Sequence, residues 1–417
     1  MQGNRLPTAI VLLPEPDHPS TGIGIVRCLG REGVPVVTAG PSRRPMSAIS
    51  RYVRRHIVLP SMEESVAACV EALAEHARQF EPTPVLFIST DEHCVMVNSH
   101  AEALRPHLRY SYLSDRTLTQ CIDKHAMFEA ATEAGVAVPT TVFVSSRYDA
   151  EWAVEMMDYP CVVKPASWVQ EEGDACCRDS DFIPAFGQKA VGAATPEELA
   201  ELLDTGLSRV GSVVVQQQIV GDCSRIWGVS VYASAGGETW VSPTLQKTRQ
   251  YPSDFGTGCC MTPIDNSPVE QRARDLVSAT SFEGIAEIEF KQHADTGELY
   301  LMEINPRPGT WITAAATNGV NTPHIAYCDL AGLPIPETSP VGEPVVWVDS
   351  WYDYLYFMRY HDGDHTGKPL TWEAWRDSVR PPREGAYHTP DDPLPGLRRA
   401  WDLGRTALRS RLRRPSG

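Results

Sequence analysis

Gly284-Ile285-Ala286-Glu287-Ile288-Glu289-Phe290 and Tyr300-Leu301-Met302-Glu303-Ile304-Asn305-Pro306-Arg307 decide how this chain folds. Both stretches alternate, so Glu287 and Glu289 share one strand face, and Glu303 and Asn305 share one. Asp295-Thr296-Gly297 between them reads as a turn. Glu289 and Glu303 each lie seven residues from Thr296, and Glu287 and Asn305 each lie nine. A hairpin centred on Thr296 therefore sets Glu289 opposite Glu303 and Glu287 opposite Asn305, with Cβ atoms about 4.5–5.5 Å apart. Like charges directly opposite destabilise a sheet. A hard divalent cation removes that cost, because Mg2+ favours carboxylate and carbonyl oxygens together with phosphates. An ordinary solvated acidic face is the alternative reading. Arg307 adds a guanidinium that can fork onto a phosphate beside such a cation.

Upstream, Lys164 ends the apolar stretch Tyr159–Lys164, where a nearly buried ammonium needs a partner. Lys124 follows Asp123 at the start of a helix predicted to run to Ala134 and stop at Gly135. Lys189 and Lys247 are further candidates, although a single lysine is more often a surface charge. Residues 9–13, 34–38 and 85–90 read as short strands. Met62, Val66, Val70, Leu73, Ala77 and Phe80 fall on one helical face, with Ser61 and Glu64 as its capping box. This alternation predicts a parallel α/β layer over residues 1–115. Residues 167–187 read as a long loop, and Thr195-Pro196-Glu197-Glu198 starts another helix. Trp347, Trp351, Tyr354 and Met358 share helical spacing and predict a helix packing an aromatic face on the core, with an aromatic pocket as the alternative. Arg398–Arg414 is basic, with Leu397, Trp401, Leu408 and Leu412 in a stripe. It reads as a solvated terminal helix, with a membrane-surface helix as the alternative.

The chain has 417 residues, 37 basic and 53 acidic, for a net charge of −16. That balance argues against nucleic acid as a partner. No apolar run approaches the ~20 residues of a membrane span, and the apolar start at Ala9–Leu13 is too short for a secretory signal. The 11 cysteines include no Cys-x-x-Cys pair and read as reduced thiols of a cytoplasmic protein. Gly22-Ile23-Gly24 is followed by Arg27 where a dinucleotide fingerprint needs its third glycine, which speaks against an oxidoreductase. Gly367-Lys368 lacks the upstream glycine of a P-loop. His-Glu-x-x-His and Gly-x-Ser-x-Gly are both missing.

In order along the chain stand Asp123-Lys124, Tyr159-Pro160-Cys161-Val162-Val163-Lys164-Pro165, Val215-Gln216-Gln217-Gln218-Ile219-Val220-Gly221, Glu289, and Glu303-Ile304-Asn305-Pro306-Arg307. This series resembles the ATP-grasp superfamily over roughly residues 120–335. Phe186-Gly187-Gln188-Lys189, Lys247–Gly256 and Asp392-Pro393-Leu394-Pro395 look like its predicted carboxylate–amine ligases. The resemblance implies an α/β (α+β) chain. An N-terminal pre-ATP-grasp layer (1–115) precedes an ATP-grasp domain (116–335) with a mobile lid at about 141–219. A C-terminal aromatic-rich extension with a basic tail follows (336–417).

The resemblance also implies roles. Lys124, Lys164 and Lys189 contact ATP phosphates, and Gln216, Gln217 and Ile219 form the hinge beside adenine. Asp222 holds the ribose. Glu289, Glu303 and Asn305 hold Mg2+ (Mn2+ as the alternative), with Glu287 adjacent. Arg307 stabilises the transferred phosphoryl group, Lys247 assists it, and Arg249 receives the substrate carboxylate. The implied reaction joins a carboxylate to an amine, both small molecules such as amino acids, through an acyl phosphate, releasing ADP and phosphate. The sequence leaves the oligomeric state open, with a homodimer as one alternative. Alternatives are a carboxylase or carboxylate–thiol ligase of the same fold, or a nucleotide-binding regulator without turnover. Two departures stand out. Gln216 replaces a frequent glutamate, and residues 167–186 hold one glycine, Gly173, where many members have a glycine-rich cover. That role falls instead to Gly187–Gly192.

Overall fold

The computed structural model of the chain describes residues 5–14, 19–166, 168–169, 175–176, 179–339, 341–363, 368–380 and 382–412. The N-terminal layer runs β1 (Ala9–Leu12), α1 (Pro19–Gly30), β2 (Val36–Gly40), β3 (Val53–Val58), α2 (Val66–Ala77), β4 (Val85–Phe87), α3 (Asp91–Ser99) and α4 (Ala101–Leu104). The next helices, α5 (Asp115–Ile122) and α6 (Lys124–Glu133), pack instead with Val229, Ile288, Phe290 and Leu301 of the largest sheet. The strands of the N-terminal layer pair in parallel, in the order β3-β2-β1-β4. Every residue of β1 is buried, as expected of a parallel strand covered on both faces. β3 went unread in the sequence because Val-Arg-Arg-His-Ile-Val carries the charges of a sheet edge. The apolar face predicted for α2 packs as expected. Its cap is Ser65, whose Oγ accepts from Ala68 N, while Ser61 accepts from Glu63 N in the turn before. The expected box at Ser61 and Glu64 therefore lies outside the helix.

A second, antiparallel sheet follows: β5 (Thr141–Val144), α7 (Arg147–Met156), β6 (Cys161–Pro165), β7 (Trp168–Val169), β8 (Ala175–Cys176), α8 (Asp179–Phe186), β9 (Val191–Ala193), α9 (Pro196–Arg209) and β10 (Val213–Gln217). Its order is β5-β10-β6-β9, with β7 and β8 as a separate ribbon. The stretch expected to be a loop thus contains a helix. The i,i+4 pair Phe182 and Phe186 stacks at 4.3 Å, and buried Phe182 ties α8 to the cluster under this sheet. Gly173 lies outside the described residues.

The largest sheet is built from β11 (Ile226–Ala233), β12 (Thr239–Val241), β13 (Leu245–Tyr251), β14 (Thr257–Pro263), β15 (Gly284–Gln292), β16 (Leu299–Asn305), β17 (Val346–Val348) and β18 (Arg383–Gly385). Its order is β16-β15-β11-β13-β14-β17-β18, with β12 beside β11. Helices α10 (Ser267–Thr280), α11 (Ile312–Thr317), α12 (Thr322–Ala331), α13 (Ser350–Tyr360), α14 (Trp372–Ser378) and α15 (Leu394–Leu412) complete the chain. Trp347 lies on buried β17, and α13 begins after it. Trp351, Tyr354 and Met358 are exposed, whereas Asp353 and Tyr356 are buried. The expected aromatic contact with the core is therefore reversed, because buried Asp353 has an arginine partner inside. On α15, Leu397 and Trp401 are exposed, which both readings of this helix share.

The C-terminal segment is clasped to α1. Arg27, fully buried, donates through Nε to Asp392 Oδ2 at 3.0 Å and to the carbonyls of Gly385, Ala386, Tyr387 and Asp392. Asp392, also fully buried, accepts from Ser50 Oγ and Arg51 N.

Candidate active site

β15 and β16 pair with Glu287 opposite Asn305 and Glu289 opposite Glu303, the register the spacing predicts. Nearer the turn the register shifts, and Phe290 faces Leu301. Met302 is therefore the extra residue of a β-bulge, a device that re-aims side chains beside functional sites. Without it Glu289 would face Met302, and Glu303 would turn to the other side of the sheet.

Cations converge on this patch. Lys247 Nζ donates to Glu289 Oε2 at 2.8 Å. Burial pushes the Lys247 ammonium down, but Glu289, Glu287 and Glu303 outweigh it and hold it above its usual range. Glu303 is exposed. Desolvation by its neighbours pushes its carboxyl up, yet Lys124, Arg307, Lys164 and Lys247 together hold it below the usual carboxylate range. Lys164 Nζ donates to Gln216 Oε1 at 2.7 Å, and Gln216 Nε2 to Thr141 Oγ1. Burial, then the neighbouring Lys124, bring Lys164 down to about 8. The departure at Gln216 thus has a physical meaning: a neutral amide holds Lys164 without compensating its charge.

Arg307 reaches two directions. Nε donates to Asp91 Oδ1 at 2.9 Å, and Nη2 to Asn305 Oδ1 at 3.0 Å. Glu287 is buried, and its Oε2 has no hydrogen-bond partner. A Cβ on Gly309 would lie 1.0 Å from that oxygen, so only glycine leaves room for this carboxylate. Burial first, then Glu289, push the Glu287 carboxyl well above its usual range.

Other expected residues stand apart. Arg249 Nε donates to Asp353 Oδ1 at 2.6 Å, and Trp375 Nε1 to Asp353 Oδ2 at 2.8 Å. Arg249 is buried, and its Nη2 has no partner. Asp222 accepts from Ser224 N and from Lys368 Nζ at 2.7 Å. Lys189 is exposed in the turn before β9. Gln217 Oε1 accepts from Thr140 N. Ile219 lines a cavity of about 510 Å³ with Pro160, Gln218, Val220, Asp222 and Lys368.

Sequence reading missed Asp91 and Asp353, which come from outside the matched motifs. It also missed Lys291, which the alternation of β15 places on the face of Glu287 and Glu289. Burial pushes the Lys291 ammonium down.

Among the described residues, no group of three or more His, Cys, Asp and Glu side chains has metal-holding geometry. Glu289, Glu303 and Asn305 nevertheless present only hard oxygen donors, the set that suits Mg2+. Lys247 on Glu289 supplies positive charge at that place, and unpartnered Glu287 Oε2 lies beside it. The residues present fit a divalent cation. Among the described residues nine cysteines are free and buried, and no helix is long and apolar enough to cross a membrane.

No protein-family model matches the chain. It is 23% identical over 253 residues to the N-terminal section of the carbamoyl phosphate synthase large chain of Methanopyrus kandleri, covering 58% of this chain and 42% of that one. It is 27% identical over 199 residues to D-alanine–D-alanine ligase of a Thermoanaerobacter species, covering 45% and 52% respectively. The chain spans about half the length of the curated relatives it matches. Among solved structures, the ADP complex of N5-carboxyaminoimidazole ribonucleotide synthetase superposes with a TM-score of 0.62 at 16% identity, over 86% of this chain and 87% of that one. At that identity the likeness is one of fold.

Proposed function

We propose that this chain, which has the mixed α/β ATP-grasp fold, is an ATP-dependent, ADP-forming ligase joining a small-molecule carboxylate to an amine. One observation carries the reading. Glu303, opposite Glu289 and on the hairpin face of Asn305, has its carboxyl held down by Lys124, Arg307, Lys164 and Lys247 together. Anionic phosphates need such a set of cations, and the acidic hairpin needs a reason to exist.

In the proposed reaction a carboxylate oxygen attacks the γ-phosphorus of ATP, and the bond to the ADP oxygen breaks. The amine nitrogen then attacks the acyl carbon, phosphate leaves, and the nitrogen loses a proton. The protein contributes position and charge. The cavity beside Ile219 takes the adenine, and Lys124 and Lys164 take phosphate oxygens. Glu289, Glu303 and Asn305 would hold Mg2+, which neutralises phosphate charge when bound. Arg307, assisted by Lys247, faces the transferred group, and the buried donor of Arg249 suits a substrate carboxylate. The likeness to D-alanine–D-alanine ligase supports amino acids as substrates, and the buried free thiols suit the cytoplasm.

The test is ADP and phosphate release from Mg-ATP against amino acids, singly and in pairs, with bicarbonate as a separate arm. Release that needs two amino acids, with a product mass equal to their sum less water, is the expected result. Release with bicarbonate in place of the amine would instead assign a carboxylase. Tight ATP binding with no release in any arm would assign a regulator.

Lys164 supplies a pH signature. Its ammonium stands at about 8 in the free protein against an ordinary 10.5, and phosphate oxygens raise it again. Nucleotide binding therefore takes up a proton between pH 8 and pH 10.5. Calorimetry in buffers of different ionisation enthalpy reads that uptake, and Lys164→Met removes it. For folding the sign is that of a depressed group. Its contribution is fully present above 10.5 and lost as pH falls through 8. Equal heats in all buffers near pH 9 would reject Lys164 as a phosphate ligand.

A further inference from the structure

Asp91 opens α3 directly behind its cap, Thr90, whose Oγ1 accepts from His93 N. Ser89 anchors that corner by donating to Leu12 O at the end of β1. The Asp91 carboxylate thus projects from the N-terminal layer onto a guanidinium 216 residues away in sequence. Its Oδ1 accepts from Arg307 Nε at 2.9 Å and its Oδ2 from Nη2 at 3.4 Å. Nη2 also donates to Asn305, and Nη1 to Pro308 O at 3.3 Å. A guanidinium has five N–H donors. Asp91, Asn305 and Pro308 take four of them, and one Nη1 proton is left for a ligand.

Three carboxylates attract this arginine: Asp91, Glu287 and Glu303. Glu287 is the dangerous one. Its Oε2 is buried without a partner, and an unpaired carboxylate oxygen away from water draws any cation within reach. A guanidinium released from Asp91 would swing onto Glu287.

We propose that Asp91 is a positioning residue, whose carboxylate holds Arg307 off Glu287 and aimed at the phosphoryl group in transfer. This rests on the nucleotide cleft proposed above. It adds that the N-terminal layer, through one side chain, sets the pose of the arginine in the ligase core.

The test uses the full chain with Mg2+ and measures ADP affinity with and without aluminium fluoride, a mimic of the phosphoryl group in flight. Wild-type protein is expected to bind ADP more tightly with aluminium fluoride. Asp91→Asn keeps the shape of the side chain and removes its charge. It should bind ADP within about twofold of wild type but lose at least about tenfold of the aluminium fluoride gain, because small misplacements of an aligned group cost that much or more. Adding Glu287→Gln to Asp91→Asn removes the competing carboxyl group and should restore part of the gain, which a merely structural role for Asp91 would not produce. Full gain in Asp91→Asn overturns the proposal. So does a double variant that recovers nothing, and so does a wild-type protein that gains nothing from aluminium fluoride. Failure of wild type to bind ADP overturns the nucleotide reading itself.

Discussion

Arg307→Ala should lower ADP release by about 10²- to 10³-fold while leaving ADP binding intact. That is the scale for removing one preorganised donor from a developing charge. The reasoning is local. Arg307 lies at the end of the hairpin that carries Glu289, Glu303 and Asn305, and its free Nη1 proton is the donor available to a transferred group. Its loss also frees Asn305 Oδ1 and Asp91. Asp91 has a side chain 44% exposed, so water can solvate it and the fold should survive. Single-turnover ADP formation with the active substrate pair measures the effect, and near-ultraviolet circular dichroism verifies the fold. Glu289→Gln should give a loss of similar size. It also removes the charge that keeps the Lys247 ammonium above its ordinary range. Undiminished turnover in either variant would remove the site assignment and leave the fold untouched.

Arg27→Ala should cost about 3–5 kcal/mol of stability, the range for breaking a buried ion pair from one side. Neither partner has exposed surface: both Arg27 and Asp392 are fully buried. Removing the guanidinium strands the Asp392 carboxylate in the interior with only Ser50 and Arg51 N as donors. It also strips four backbone carbonyls of a charged donor. Lysine is no substitute, because a point charge cannot serve acceptors spread around a planar fork. The urea midpoint, with the slope unchanged, reads the effect. A loss under about 1 kcal/mol would mean that water reaches this site and solvates the pair.

How much of this was legible in advance depends on the range of each contact. The hairpin was readable because alternation and a turn are local, and distances counted from Thr296 fix which residues face each other. The count succeeds because the bulge at Met302 lies between the turn and the carboxylates. α6 and its start beside Asp123 were readable for the same local reason. β3 was not, because edge strands carry charge and lose the apolar signature. The α13 stripe misled because helical spacing identifies a face but not its direction. Asp353 turns that face inward, and its partner Arg249 is 104 residues away. Asp91 was invisible in the same sense: nothing near it in sequence announces an arginine at position 307. Lys291 was within reach, since the alternation that found Glu287 and Glu289 continues to it.

The clasp at Arg27 has a consequence for synthesis. Arg27 is made early, and Asp392 emerges 365 residues later. At about 5–20 residues per second, the interval is roughly 20–70 s. Until then α1 carries a cation whose acceptors do not yet exist, and it cannot bury that side chain without stranding the charge. The N-terminal layer of a growing chain therefore waits on the ribosome with α1 unsealed, and its final packing is one of the last events of folding.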